Sequence, residues 1–360
     1  MSYYNEERQP TRLVRRRVKK RKRRPFRRLI RIILVLLVLC MLGGVAYAGY
    51  LAYKVKSTAD NSYKGLAHGN KSDLRMDKVT MGKDPVNILL MGVEDYKGSP
   101  GHSDALMVLT INPDTKEASI VSIPRDTRTY LPDAGRKDKI THAYAYGKKG
   151  HKEQATIDAV EHFLDVPIDY YVRTNFQGFK EVVDSVGGIT VDVPFDFYQK
   201  NLKGHKIYFH KGKMDLNGDE ALTYVQMRKQ DKRGDFGRQE RQQQAMKAVA
   251  DKALSIKSIS RADNLLNSVG DNVQTNISLK ELFGMRNFYK QIQSKELERM
   301  NIGGQDEYIN GVYYFSPDEQ VVQKVRDRIR EILNYKGKGS ASADSSSSNG
   351  TSEQSQGTGE

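Results

Sequence analysis

The chain has 360 residues, a net charge of +15, no tryptophan and one cysteine. Residues 1–31 hold fourteen Lys or Arg against Glu6 and Glu7, so the remainder carries only about +3, too little for an extended phosphate-tracking nucleic-acid surface. The lone Cys40 excludes a disulfide framework, and no two of the seven histidines stand at HExxH spacing, which argues against a zinc hydrolase.

The basic segment 1–31 is followed at once by residues 32–53, which contain no charge. Twenty-two residues at 1.5 Å per residue are enough to cross ~30 Å of hydrocarbon. Tyr47, Tyr50 and Tyr53 mark its far end like an interfacial belt, and the basic flank sets the N-terminus inside. The length of both parts favours an uncleaved anchor over a signal peptide. Residues 54–83 read as a polar extracellular stalk. Residues 336–360 are Ser/Gly-rich and offer almost nothing to bury, which predicts disorder. One folded domain, 84–335, lies between.

Within it, VNILLMGV at 86–93 is a continuous apolar run and predicts a buried strand, with further strands at 105–111 and 118–123 joined by a hairpin turn. Helices are expected at 152–164 and 176–186, the second stopped by Gly187 and Gly188. Strands follow at 170–174 and 189–194, and a helix at 216–227. A turn through Gly234 and Gly237 leads into a long helix at 238–254, with Asp235 as its expected N-cap. Asn310-Gly311 predicts a hairpin, and 318–333 an amphipathic closing helix. The mixture predicts an α/β (mixed α+β) domain with a central mixed sheet flanked by helices.

Four stretches carry groups suited to phosphate chemistry. In RGDFGRQERQQ, Arg238, Arg241 and Gln242 stand three and four apart on the first turns of a helix, whose N-terminus already favours anions. Forked guanidinium groups match phosphate oxygens, although a lone Arg-x-x-Arg is ordinarily a solvated face. Glu94 and Asp95 leave one strand and Asp104 enters the next, so their carboxylates can converge on a hard cation such as Mg²⁺; a soluble loop would look the same. Arg125 and Asp126 follow a strand directly, where α/β sheets place their sites, with Arg128, Lys139 and His142 close in sequence. Gln226 and Arg228 end the helix before the glycine turn; a spacing of two aims them apart. No G-x-S-x-G elbow or exported cysteine offers a nucleophile, and the remaining inventory suits phosphoryl transfer by positioning and charge neutralisation.

NILLMGVEDY, SDALMVLTINP, VSIPRDT, KITHAYAYG, DYYVRTNFQGF, DSVGGITVDV, LNGDEALTYVQMRK and GDFGRQERQ occur in order over 87–243, and together they resemble the LytR-CpsA-Psr family of Gram-positive bacteria. The resemblance implies an apolar tunnel for a prenyl chain and a glycopolymer transferase at the cell surface. Such an enzyme takes a teichoic acid or capsular polysaccharide from undecaprenyl pyrophosphate to the C6 hydroxyl of N-acetylmuramic acid in peptidoglycan. It implies that Arg125, Arg228, Arg238 and Gln242 bind the pyrophosphate. Asp104 is then one ligand of Mg²⁺ (or Mn²⁺), and Glu94 or Asp95 the other. We add Arg128, Lys139 and Arg241 as candidate pyrophosphate contacts, and take Arg125, Arg238 and Asp104 as the catalytic candidates. The chain departs from the common pattern at Gln226 and His102, where arginine is frequent, and at Glu94, where the pattern reads Gly-x-Asp. A pyrophosphatase using the same groups, a membrane-bound regulator with a DNA-touching tail, and a non-catalytic wall-binding protein are the competing readings.

Overall fold

The structure, a computed structural model, describes residues 63–66, 71–94, 100–253, 272–278, 281, 284 and 297–337. The chain divides into two units, 1–53 and 54–360. The expected anchor 32–53, the basic segment before it, Asp95, much of the stalk and the tail beyond 337 lie outside the described residues. Among the described residues no helix is long and apolar enough to cross a membrane.

The run VNILLMGV is the central strand β1 (Val86–Glu94) of a six-stranded mixed sheet, ordered β11-β6-β1-β2-β3-β12. β2 (His102–Asn112) and β3 (Glu117–Ile123) extend it as an antiparallel meander. On the other side β6 (Tyr170–Asn175) lies parallel to β1, and β11 (Val273–Thr275) antiparallel to β6. β12 (Glu298–Asn301) closes the far edge parallel to β3.

Burial on both faces explains why β1 shows no polar alternation. Leu89, Met91 and Val93 face a core made with α2 (Lys152–Leu164) and the amphipathic α6 (Glu319–Leu333), after the short α1 (Ala143–Tyr146). Asp318 caps α6 by accepting from the amides of Gln320 and Val321, so the predicted helix begins one residue later than its first expected residue. Leu90, Gly92 and Glu94 face the opposite side, where α3 (Phe176–Ser185), α4 (Gly218–Gln226) and α5 (Asp235–Ala253) gather. These helices form a second core with β7 (Ile189–Val193) and β10 (Gly212–Leu216), which pair with each other.

Three two-stranded units complete the fold. β4 (Arg128–Leu131) pairs with β5 (Arg136–Lys139), and β8 (Phe197–Lys200) with β9 (Lys206–Phe209). β13 (Gly304–Ile309) and β14 (Val312–Pro317) form the expected hairpin; Asn310 and Gly311 both have positive φ, as a type I′ turn requires.

Candidate active site

The site begins with an irregularity between β1 and β2. Gly92 pairs with Ala105 but Val93 pairs with Ser103, leaving Asp104 as the extra residue of a bulge. A bulge re-aims its side chain, and here the carboxyl of Asp104 meets that of Glu94 at the end of β1. Gly92 must stay small: a Cβ there would lie 3.1 Å from that of Ala105. Burial pushes the Asp104 pKa up; Arg125 pulls it back, and the neighbouring Glu94 raises it again.

Arg125 follows β3 at once. Its backbone is fixed because Thr127 donates twice to the Pro124 carbonyl, at 3.0 and 2.6 Å, and Thr141 donates to the Arg125 carbonyl at 3.1 Å. The guanidinium lies between two carboxylates, Nη1 at 2.9 Å from Asp104 Oδ1 and Nε at 3.5 Å from Asp126 Oδ2. The resulting charge pairing raises the Arg125 pKa despite burial. Lys139 neutralises the other oxygen of Asp126 at 2.8 Å.

The third component is the start of α5. The Gly234 carbonyl accepts from the Arg238 amide at 3.3 Å, so Asp235 lies inside the first turn and Gly234, with φ +57°, precedes the helix. That corrects the expectation of Asp235 as N-cap. Asp235 instead binds side chains, Arg238 Nη2 at 2.7 Å and Gln239 Nε2 at 3.1 Å. Burial lowers the Arg238 pKa, and the nearby Arg125 and Arg228 cations lower it further, against Asp235 and Asp104. Two half-buried guanidinium groups, Arg125 and Arg238, thus stand close together with the exposed Arg228 near by, each half-buried one held by carboxylates.

A cavity of about 350 Å³ joins these parts. At its polar mouth stand Glu94, Asp104, Arg125, Gln226, Arg238 and Gln242. Its body is apolar, with Leu90, Met107 and Val172 from the sheet roofed by Phe176, Phe179, Leu222, Val225 and Met246. Asn175 turns β6 into α3 by accepting from the Gly178 amide at 2.8 Å, and this places the two phenylalanines over the cavity. Gly178 allows the close approach, since a Cβ would sit 2.7 Å from the Asn272 carbonyl oxygen.

The other candidates fall elsewhere. Arg241 does not join the mouth: successive helix residues are about 100° apart, and it turns from Gln242 into the interior. There Nη1 donates to Asp231 at 2.6 Å and Nη2 to the Met227 carbonyl at 2.5 Å, both charged side chains being 2% exposed. Arg128 and Lys139 face each other across β4–β5 and lie by the rings of Tyr313 and Tyr314, and neither lines the cavity. Arg228 is exposed just past α4, near enough to perturb Arg238, whereas Gln226 lines the cavity. The apolar lining had no signature in sequence, because a cavity wall and a core face share one periodicity.

Two meeting carboxyls, Asp104 with a pKa raised by burial and then by Glu94, are a fitting pair of oxygen ligands for a hard cation that also takes substrate phosphate. Among the described residues no cluster of three or more His, Cys, Asp or Glu is suited to a metal.

The cavity therefore sets an apolar space beside guanidinium and carboxylate groups. A profile of the LytR_cpsA_psr family matches residues 49–331. Over 299 residues the chain is 46% identical to the polyisoprenyl-teichoic acid–peptidoglycan teichoic acid transferase TagV of Bacillus subtilis (strain 168), covering 81% of this chain and 75% of that one. The crystal structure of B. subtilis TagV superposes with a TM-score of 0.62 at 45% identity, over 70% of this chain and 98% of that one. The LytR-CPS2A-psr family protein YwtF (TagT), solved with bound octaprenyl pyrophosphate lipid, superposes with a TM-score of 0.59 at 32% identity, over 76% of this chain and 100% of that one. The chain belongs to the LytR_cpsA_psr family, and it is a transferase enzyme.

Proposed function

We propose that this enzyme transfers an anionic glycopolymer, wall teichoic acid or capsular polysaccharide, from undecaprenyl pyrophosphate to the C6 hydroxyl of N-acetylmuramic acid in peptidoglycan. The observation that carries the reading is the cavity itself, apolar along its body and lined at one end by Arg125, Arg238 and Gln242 beside Glu94 and Asp104. A prenyl chain suits the body and a diphosphate the mouth. The relatives named above, a teichoic acid transferase and a protein holding octaprenyl pyrophosphate, support the same assignment. The uncharged segment 32–53 anchors the chain as a single-pass type II membrane protein with the enzyme domain on the cell surface.

In the reaction the acceptor hydroxyl attacks the phosphorus that bears the sugar. A new P–O bond forms to C6, the bond to the bridging oxygen breaks, and undecaprenyl phosphate leaves with that electron pair. Arg125 and Arg238 carry the charge that grows on the diphosphate oxygens, and they do so from positions already fixed by Asp104, Asp126 and Asp235. Gln242 donates to a neighbouring oxygen from the same helix face. The hydroxyl proton passes to a mouth carboxylate or to water at the open end. Asp104 with Glu94, and Asp95 next to it in sequence, would hold Mg²⁺ or Mn²⁺, which supplies further charge neutralisation when bound.

The test incubates the full chain with a polyprenyl-pyrophosphate-linked teichoic acid precursor, Mg²⁺ and un-crosslinked glycan strands, following polymer attached to glycan. Mg²⁺-dependent attachment that Arg125→Ala abolishes is the expected result. Polymer phosphate released without attachment would make the protein a pyrophosphatase and sink the proposal.

A further inference from the structure

The β8–β9 hairpin has no part in the site chemistry, yet its composition is unlike that of the rest of the domain. Residues 197–209 contain three lysines and one histidine and no acid, in a chain that carries only about +3 over residues 32–360. Register places Tyr198 opposite Tyr208 and Lys200 opposite Lys206. Phe197 and Phe209 turn inward and stack at 4.7 Å in the second core, so the tyrosines and lysines share the outer face. Like charges directly across a ladder destabilise it, and no described ion pair relieves Lys200, Lys203 or Lys206. Lys206 lies instead 4.6 Å over the Tyr198 ring.

The hairpin is held firmly. Asn201 donates to Asp219 at the start of α4 at 2.7 Å, and Gln230 donates to the Tyr198 carbonyl. At its turn, Leu202 is 55% exposed and yet lines the apolar cavity. Asn201 is tied to the start of α4 and Gln226 ends it, so Leu202 and the arginine-lined part of the cavity stand near opposite ends of that helix.

We propose that the β8–β9 hairpin docks on an anionic phospholipid surface, tyrosines at the headgroup boundary and lysines on the lipid phosphates. Exposed tyrosine beside lysine is the side-chain pairing that suits a membrane interface, and lysines gain from a negative leaflet. The hairpin's own composition and exposure carry this inference. Its purpose, bringing the apolar end of the cavity against hydrocarbon so that a prenyl chain can pass, rests on the function proposed above.

The chain has no tryptophan, so Tyr208→Trp, at a site 58% exposed, introduces a single reporter; Tyr308→Trp on β13, 71% exposed, is the control. Each full-length variant is placed in phosphatidylglycerol–phosphatidylcholine vesicles whose acyl chains are plain or brominated. Position 208 should emit at shorter wavelength and lose intensity to bromine, while position 308 should not change. Adding Lys200→Gln, Lys203→Gln and Lys206→Gln should weaken the contact about a hundredfold, at ~1 kcal/mol per lysine. Equal emission in both vesicle types at 208, or equal quenching at both positions, overturns the proposal. So does a 208 signal that answers to soluble teichoic acid and not to lipid, which would assign the hairpin to the polymer. None of these readouts depends on transfer activity, so a failure of the transferase reading leaves them intact.

Discussion

Asp231–Arg241 and Asp104–Arg125 are made of the same side chains at nearly the same separation, 2.6 and 2.9 Å, yet they do different work. The first pair is sealed. Burial alone would raise the Asp231 pKa, but hydrogen bonds from Arg241 and Arg233 hold it below the ordinary carboxylate range. Arg241 in turn ties the turn at Met227 to α5. The second pair stands at the cavity mouth, shares its carboxylate with Glu94, and leaves the Asp104 pKa raised. Unused donors do not separate the two, since the Nε atoms of Arg125, Arg238 and Arg241 all lack a hydrogen bond. Access does. A closed ion pair holds a loop on a helix; an open one can exchange its partner for substrate.

Breaking each pair should therefore fail in a different assay. Arg241→Ala leaves Asp231 buried without its main partner, and should cost ~3–5 kcal/mol of unfolding free energy, measured by denaturant titration. A stability like that of the parent would mean the pair is not sealed. Arg238→Ala should melt near the parent temperature while transfer falls about 10²–10³-fold, the usual cost of one donor to developing charge. Unchanged turnover would remove Arg238 from the site.

Glu161 sharpens the contrast, being a carboxyl with no ion pair to a cation among the described residues. It accepts from the Ile168 amide at 2.7 Å and from Ser72 Oγ at 2.6 Å, and burial raises its pKa from 4.5 to about 7. The raised folded value favours the protonated form, so its stabilisation is complete below pH 4.5 and fades as pH rises through 7. Glu161→Gln should remove that dependence and gain about 3 kcal/mol above neutrality, read as melting temperature against pH. Parallel curves for the two proteins would refute it. The smallest effect concerns Gly237, where an added Cβ would strike the Asp231 carboxylate. Gly237→Ala should cost ~1–3 kcal/mol by overpacking the sealed pair, again by denaturant titration, with transfer retained.

The strong periodic elements were legible before the structure. The helix at 152–164, the Asn310-Gly311 hairpin and the meander of 86–123 stand where pattern and turn chemistry put them, within a residue or a few at the ends. The short strands were not. RTYL, RKDK and ERMN have four residues each, with charges that mask any alternation, and they pair only because the sheet and its neighbours supply a partner. In the site, the glycine turn located α5, but spacing alone put Arg241 with Arg238 and Gln242. A helix face about 100° wide covers all three. Only the buried Asp231, ten residues upstream and unremarkable in sequence, decides which of them turns inward.

The sheet order also constrains assembly. β1, β2 and β3 are contiguous in the chain and can pair as soon as residues 86–123 are free. The outer edge of β3 is closed only by β12, residues 298–301, which pairs with it in parallel after most of the chain has passed. A chain delivered from its N-terminus thus carries an open strand edge while about half of its length emerges, the state most prone to pairing with a stranger. The SIVSI segment left waiting there is therefore the point at which a delay in release would turn into aggregation.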